Sequence, residues 1–144
     1  MKLIRVQLLK FILMKNINSM YVIDDDRIYH FLLKNLFKQN GITINATFFN
    51  NGQEAIEAMK RNKDADMPDL ILLDVNMPIM NGWQFLEEYS KLRSMLPKTS
   101  TIYMISSSND EVDINKAKGY GEIVKDYFLK PICKEDLDKI FISN

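Results

Sequence analysis

Of the 144 residues, one is cysteine and one is histidine. Without a second cysteine an intrachain disulfide framework is excluded, and nothing points to an oxidising compartment. A zinc centre draws on several Cys and His ligands, so Cys133 and His30 cannot build one between them. Glycine (5) and proline (4) are scarce too, which removes collagen-like and low-complexity readings. Neither sign of charge prevails, since 19 basic and 19 acidic side chains cancel. That balance argues against general attraction to nucleic acid or to an acidic membrane.

What is present is ordinary globular material, 47% hydrophobic and 26% charged. This length suits one domain that buries roughly 70% of its unfolded surface without help from disulfides or metal. The charge balance hides an asymmetry: residues 1–20 hold Lys2, Arg5, Lys10 and Lys15 and no acid, leaving the other 124 residues at net −4. The opening MKLIRVQLLKFILMK has a basic start and an apolar middle. Lys10 and Lys15 interrupt and follow that middle, and no small-residue cleavage site appears, so it makes a poor signal peptide. It is also too short to span a bilayer. Residues 1–18 are expected to be a dispensable extension, or the result of translation from upstream of Met14 or Met20, with an interfacial membrane helix as the alternative. Residues 19–144 are expected to form the folded unit, in the cytoplasm, with neither nucleic acid nor stable membrane association.

From Ser19 onward two kinds of segment alternate. Met20–Ile23, Ile42–Phe49, Leu70–Leu73, Ile102–Ile105 and Tyr127–Leu129 have strand length and mostly β-branched or aromatic content. Between them, Ile28–Gln39, Gly52–Arg61, Trp83–Arg93, Asp110–Lys118 and Lys134–Phe141 show helical spacing, with Gly41 and Gly119 as stops. In the first helix Ile28, Tyr29, Leu32, Leu33 and Leu36 share a wide arc, which places His30, Lys34 and Lys38 on the opposite, solvated side. Five strands alternating with five helices imply right-handed crossovers and a doubly wound parallel α/β sheet with helices on both faces. The unbroken LILL of Leu70–Leu73 suits a strand buried on both sides.

In such sheets the ligand site lies beyond the carboxyl ends of the strands. Those ends carry Asp24, Asp25 and Asp26, then Asp74, then Ser106, then Lys130 before Pro131. Each alone has a bland reading: a turn with Asp26 as helix cap, a serine cap, an ordinary Lys-Pro loop. Together they deliver from four strand ends the residue types that phosphoryl chemistry requires. Converging carboxylates repel one another, so a cation that neutralises them is expected. The oxygen-only set selects Mg²⁺, with Mn²⁺ possible.

The segments VIDDD (Val22–Asp26), LILLDVNMPIMNG (Leu70–Gly82), YMISSS (Tyr103–Ser108) and DYFLKP (Asp126–Pro131) give the chain its resemblance to the response-regulator receiver domains of two-component signalling. That resemblance implies a flavodoxin-like sheet in order 2-1-3-4-5, similar to the chemotaxis response regulator. It makes Asp74 the phosphoacceptor, a carboxylate nucleophile. It places Mg²⁺ on Asp24, Asp25, Asp74 and the backbone carbonyl of Asn76, and puts Lys130 and Ser106 on phosphoryl oxygens. It also implies a cis bond before Pro131, a switch built from Ser106 and Tyr127, and a path for hydrolytic water lined by Asn76 and Ser108. The donor would be a phosphohistidine on a sensor kinase or a histidine phosphotransfer protein, with an unknown downstream protein as target. His30 is not that donor. The segment Asn115–Lys125 departs from the family pattern, lacking its small-residue run.

Two other function classes compete. An aspartate-nucleophile phosphohydrolase would share Asp74 and the cation, but it needs a second acid two residues on, and Asn76 stands there. A phosphorylation-independent scaffold would not need the set complete. The expectation is therefore a phosphoacceptor that is not a turnover enzyme. Only 14 residues follow Lys130, so a stand-alone receiver acting by protein contact is expected.

Overall fold

The computed structural model describes residue 5, residues 17–61 and residues 67–142. Its strands are β1 (Ser19–Ile23), β2 (Asn45–Phe49), β3 (Leu70–Leu73), β4 (Thr101–Ser106) and β5 (Val124–Leu129). The helices among the described residues that cover the sheet are α1 (Arg27–Gln39), α2 (Gly52–Arg61), α3 (Gly82–Leu92), α4 (Glu111–Gly119) and α5 (Lys134–Phe141), with a 3₁₀ turn at Arg93–Met95. All neighbouring strands run parallel, in the order β2-β1-β3-β4-β5. The doubly wound α/β fold and its strand order agree with expectation. The expectation for residues 1–18 lies almost wholly outside the described residues.

Period-two alternation divides the core into two layers. Tyr21, Ile23, Ile71, Leu73, Ile102 and Met104 face α2, α3 and α4. Met20, Val22, Leu70, Leu72, Tyr103 and Ile105 face α1 and α5. All four residues of β3 are buried, as its unbroken apolarity requires.

Two strand starts and the buried face of one helix differ from the sequence reading by more than a residue at an end. The second strand begins at Asn45 instead of Ile42, because the Ile42 N–H returns to the Phe37 carbonyl at 2.9 Å and closes the end of α1; Gly41, with φ of 69°, makes that reversal possible. The fifth strand begins three residues early, at Val124, which pairs with Ile102. The first helix buries an arc turned from the expected one: Tyr29 and Leu33 are buried and Leu36 packs on the core as expected, but His30 and Phe37 join them, while Ile28, Phe31 and Leu32 are exposed. Helix α4 is lightly anchored, with Ala117 as its one buried residue. Trp83 of α3 stacks on Tyr120 just beyond α4, centroids 6.1 Å apart, and the Lys116 ammonium lies 4.9 Å from the Trp83 ring centre.

Candidate functional site

The site is assembled where β1, β3, β4 and β5 end on the same side of the sheet. The β1 ladder continues into Asp24, whose N–H donates to the Phe49 carbonyl at 3.0 Å. The next turn is fixed by its own acids: Asp24 Oδ1 accepts the Asp26 N–H at 2.9 Å, and Asp26 Oδ1 caps α1 by accepting from Ile28 and Tyr29. Asp26 is thus the cap that the sequence suggested. Asp25, between them, is exposed.

Asp74 prolongs β3, its N–H donating to the Ile23 carbonyl at 2.9 Å, which sets it beside Asp24. Carboxylate oxygens of Asp24, Asp25 and Asp74 lie within 4.8 Å of one another. The start of α3 presses on this loop: the Gly82 N–H donates to the Val75 carbonyl at 2.8 Å. A Cβ at Gly82 would fall 2.4 Å from the Asp74 carbonyl oxygen, so only glycine fits there.

Lys130, on the loop after β5, reaches across to Asp24 Oδ2 at 2.6 Å and Asp74 Oδ1 at 3.5 Å. The Lys130–Pro131 peptide bond is cis. Ser106 is fully buried at the end of β4 and is tied to the lysine through the main chain, the Lys130 N–H donating to its carbonyl at 2.8 Å. Its hydroxyl accepts the Ser108 N–H at 3.2 Å. Ser108 in turn donates its hydroxyl to Asp113 and accepts the Tyr127 hydroxyl on its carbonyl, both at 2.8 Å. Tyr127 and Ser106 are therefore joined through one residue. Asn76 is exposed at the rim.

The electrostatics follow from three acids meeting one ammonium. Burial first, then the negative charge of Asp24, pushes the Asp74 carboxyl up to about 6, although Lys130 and the Val75 N–H oppose the shift. A carboxylate held at such cost to its charged form is one that an incoming cation would stabilise. The donor set, three carboxylates with no nitrogen or sulfur ligand, fits a hard divalent ion.

One expectation is overturned. His30 does not lie on a solvated arc: it is buried, its ring 5.0 Å from that of Phe48, and its Nε2 sits 2.6 Å from the Asp24 carbonyl oxygen. That carbonyl leaves the sheet at the strand end and needs a donor, which turns α1 so that His30 faces inward. Sequence reasoning also missed Tyr29, whose ring centre lies 4.5 Å from the Lys130 ammonium. Nothing in the spacing of the motifs distinguishes it from any apolar helix residue.

The chain belongs to the response regulator receiver domain family, whose model matches residues 20–142. The two-component response regulator ARR12 of Arabidopsis thaliana is 32% identical over 119 residues, 83% of this chain but 18% of that protein. The chain thus spans less than a fifth of the length of that relative. Among solved structures, a two-component response regulator from Cytophaga hutchinsonii superposes with a TM-score of 0.75 at 27% identity, covering 87% of this chain and 94% of the other. A CheX–CheY–BeF₃–Mg²⁺ complex from Borrelia burgdorferi has the same fold, with a TM-score of 0.70, 21% identity and coverage of 88% and 87%. No described helix is long and apolar enough to cross a membrane.

Proposed function

We propose that this receiver takes a phosphoryl group from a phosphohistidine, on a sensor histidine kinase or a histidine phosphotransfer protein, onto the carboxylate of Asp74. The observation that carries the reading is the convergence of three carboxylates on one another and on the Lys130 ammonium. Asp24, Asp25, Asp74 and the backbone carbonyl of Asn76 would hold Mg²⁺, or Mn²⁺, which when bound supplies positive charge to the transferring phosphoryl oxygens. Asp74 attacks phosphorus, a P–O bond forms as the P–N bond to the donor imidazole breaks, and the departing imidazole keeps the electron pair and takes up a proton. Lys130 places its ammonium on one phosphoryl oxygen, and the Ser106 hydroxyl donates to another, so developing charge is met from two sides.

The acyl phosphate is then a signal and not a turnover intermediate. Asn76 carries no acid, and the Ser108 hydroxyl is engaged by Asp113, so neither is a base for hydrolysis; substitutions at these two positions should reset the phosphoryl lifetime. The output is protein contact. When Ser106 turns its hydroxyl toward the phosphoryl group it leaves the Ser108 N–H, and the Tyr127 hydroxyl bonded to the Ser108 carbonyl carries that movement to the β4, β5 and α4 surface. Residues 19–144 are the receiver unit on this reading, with 1–18 an appendage, in the cytoplasm.

Incubation with acetyl phosphate and Mg²⁺ tests the proposal. Stoichiometric, alkali-labile labelling is expected for the wild type and none for Asp74→Asn. Multiple turnover of the phosphodonor would mean a phosphohydrolase, and a wild type that takes no label would mean a scaffold. Ser106→Ala and Tyr127→Ala should still label on Asp74 while losing the phosphorylation-dependent gain in partner affinity. Equal gain in all three proteins would refute the switch.

A further inference from the structure

The flexible stem of Lys130 does not by itself fix where the ammonium lies. Four rotatable methylenes must be ordered to hold one ammonium. Its carboxylate contacts cannot do this alone, because Asp24 is shared: the oxygen that Lys130 holds at 2.6 Å belongs to the acid cluster that can take a divalent ion. With Asp24 engaged by a cation, Lys130 would lose part of that hold at the stage when its ammonium must turn to a phosphoryl oxygen. A second, uncharged hold is needed.

Tyr29 supplies the observation. Its ring lies under the Lys130 ammonium, 4.5 Å from atom to centroid, and both groups are largely withdrawn from solvent: Tyr29 is 7% exposed and the lysine side chain 16%. The ring is fixed by the same turn that builds the acid cluster, since the Asp26 carboxylate that caps α1 accepts the Tyr29 N–H at 3.3 Å. The hydroxyl is not the reason for the residue. It is buried, the main chain at Ile132 lies against it, and no group reaches it in good hydrogen-bond geometry. Burial, with the charges of Asp24, Asp74 and Asp136, pushes it up to about 12, so the phenol stays neutral and leaves the ring face as the negative surface presented to the lysine.

Building on the phosphoacceptor reading above, we propose that Tyr29 is a positioning residue for the reaction, holding the Lys130 ammonium on its ring face while the lysine exchanges its carboxylate contacts for the phosphoryl group. The contact is indifferent to whether Asp24 is engaged by a cation. It therefore persists through the exchange and keeps the ammonium within a rotamer change of its target.

The test uses the full chain with Tyr29→Phe, which keeps the ring, and Tyr29→Leu and Tyr29→Met, which keep apolar volume without it. Two quantities are read: the rate constant for labelling of Asp74 by acetyl phosphate at saturating Mg²⁺, and, without donor or metal, the chemical shift of the Lys130 ε-methylene in ¹³C-lysine protein, assigned with Lys130→Met. The ring should displace that resonance upfield in the wild type and in Tyr29→Phe. Tyr29→Leu and Tyr29→Met should return it to the position of an exposed lysine and slow labelling about tenfold, the scale of a desolvated cation–π contact. Tyr29→Phe should label within about twofold of wild type, and on a Lys130→Met background Tyr29→Leu should cost nothing further. Equal labelling by all Tyr29 variants of a wild type that does label overturns the inference alone. So does a Leu variant whose Lys130 resonance stays upfield, or one equally damaging without Lys130. A wild type that takes no phosphate overturns the phosphoacceptor reading and this role with it.

Discussion

Asp24 shows how much a single residue at a strand end is asked to do. Its N–H continues the sheet, one carboxylate oxygen orders the turn to α1, the other holds Lys130, and its carbonyl is met by His30. The last of these contacts is the one most open to test, because it satisfies a buried acceptor that has left the ladder. Removing the partner of such a group costs about 1–3 kcal/mol, and the lost packing against Phe48 adds to it. His30→Ala should therefore lower unfolding stability by roughly 2 kcal/mol or more and weaken Mg²⁺ binding together with it, measured by urea unfolding and by calorimetric titration. A loss below about 0.5 kcal/mol, the range of a solvated surface substitution, would return His30 to the exposed role that its helical spacing first suggested. Asp25→Ala makes the contrasting case: exposed and bonded to little, it should leave stability nearly unchanged while severely reducing Mg²⁺ affinity.

At the level of elements, legibility depended on punctuation. The candidate site could be read because each of its groups stands where an apolar strand stops: LILL then Asp74, YMI then Ser106, YFL then Lys130. The alternation of strands and helices fixed the fold class for the same reason. The face of α1 could not be read, because apolar residues surround it. Ile28, Phe31 and Leu32 make a competing apolar stripe beside Tyr29, Leu33 and Phe37, and the arc that is buried packs Phe37 on Phe141 and brings His30 to the Asp24 carbonyl, two tertiary contacts that helical spacing does not reveal. Tyr29 was hidden likewise, since its partner Lys130 is 101 positions away in the sequence. The start of α3 offers a sharp prediction at this scale. With a Cβ at position 82 forced to within 2.4 Å of the Asp74 carbonyl oxygen and 3.0 Å of Val75 Cα, both backbone atoms, nothing flexible can yield. Gly82→Ala should destabilise by about 1–3 kcal/mol, the usual scale of overpacking, and slow labelling of Asp74 because the loop that bears it must move. Gly119, by contrast, meets nothing within 4 Å, and Gly119→Ala should be neutral or slightly stabilising. Equal effects at the two glycines would show that α3 does not press on the acid loop.

For the whole molecule the consequence of this architecture is a concentration of like charge at one end of a protein whose charges cancel overall. The sheet holds three carboxylates against one ammonium, and the cost falls on Asp74, whose folded carboxyl is pushed up to about 6 from an ordinary 3.8. Between those two values the folded state binds more protons than the unfolded one, so the contribution of Asp74 to stability is complete below about 4 and is lost as pH rises through about 6. After discounting for solvent screening the loss is on the order of 1–2 kcal/mol. Asp74→Asn carries no such charge, so in metal-free solution it should be more stable than wild type at pH 7 by that amount and indistinguishable from it near pH 4. A divalent ion would neutralise the net −2 of three carboxylates and one ammonium. On the proposed reading Mg²⁺ should bind the ionised cluster and stabilise the wild type by RT ln(1 + [Mg²⁺]/Kd), about 2.7 kcal/mol at a hundredfold excess over Kd, while at pH 4 protons should compete for the same oxygens and leave little gain. Urea unfolding of both proteins across pH 4–7, with chelator or with saturating Mg²⁺, reads all four arms. The expected pattern is a wild-type stability that, in chelator, declines with rising pH relative to Asp74→Asn, and a Mg²⁺ gain that grows with pH; the other carboxyls, Asp69 among them with its carboxyl held below the usual range beside Lys98, act equally in both proteins and cancel in the difference. A Mg²⁺ gain as large at pH 4 as at pH 7, or a pH slope in chelator that is the same in wild type and Asp74→Asn, would mean that the metal and the titrating charge reside somewhere other than the acid cluster at the end of β1 and β3.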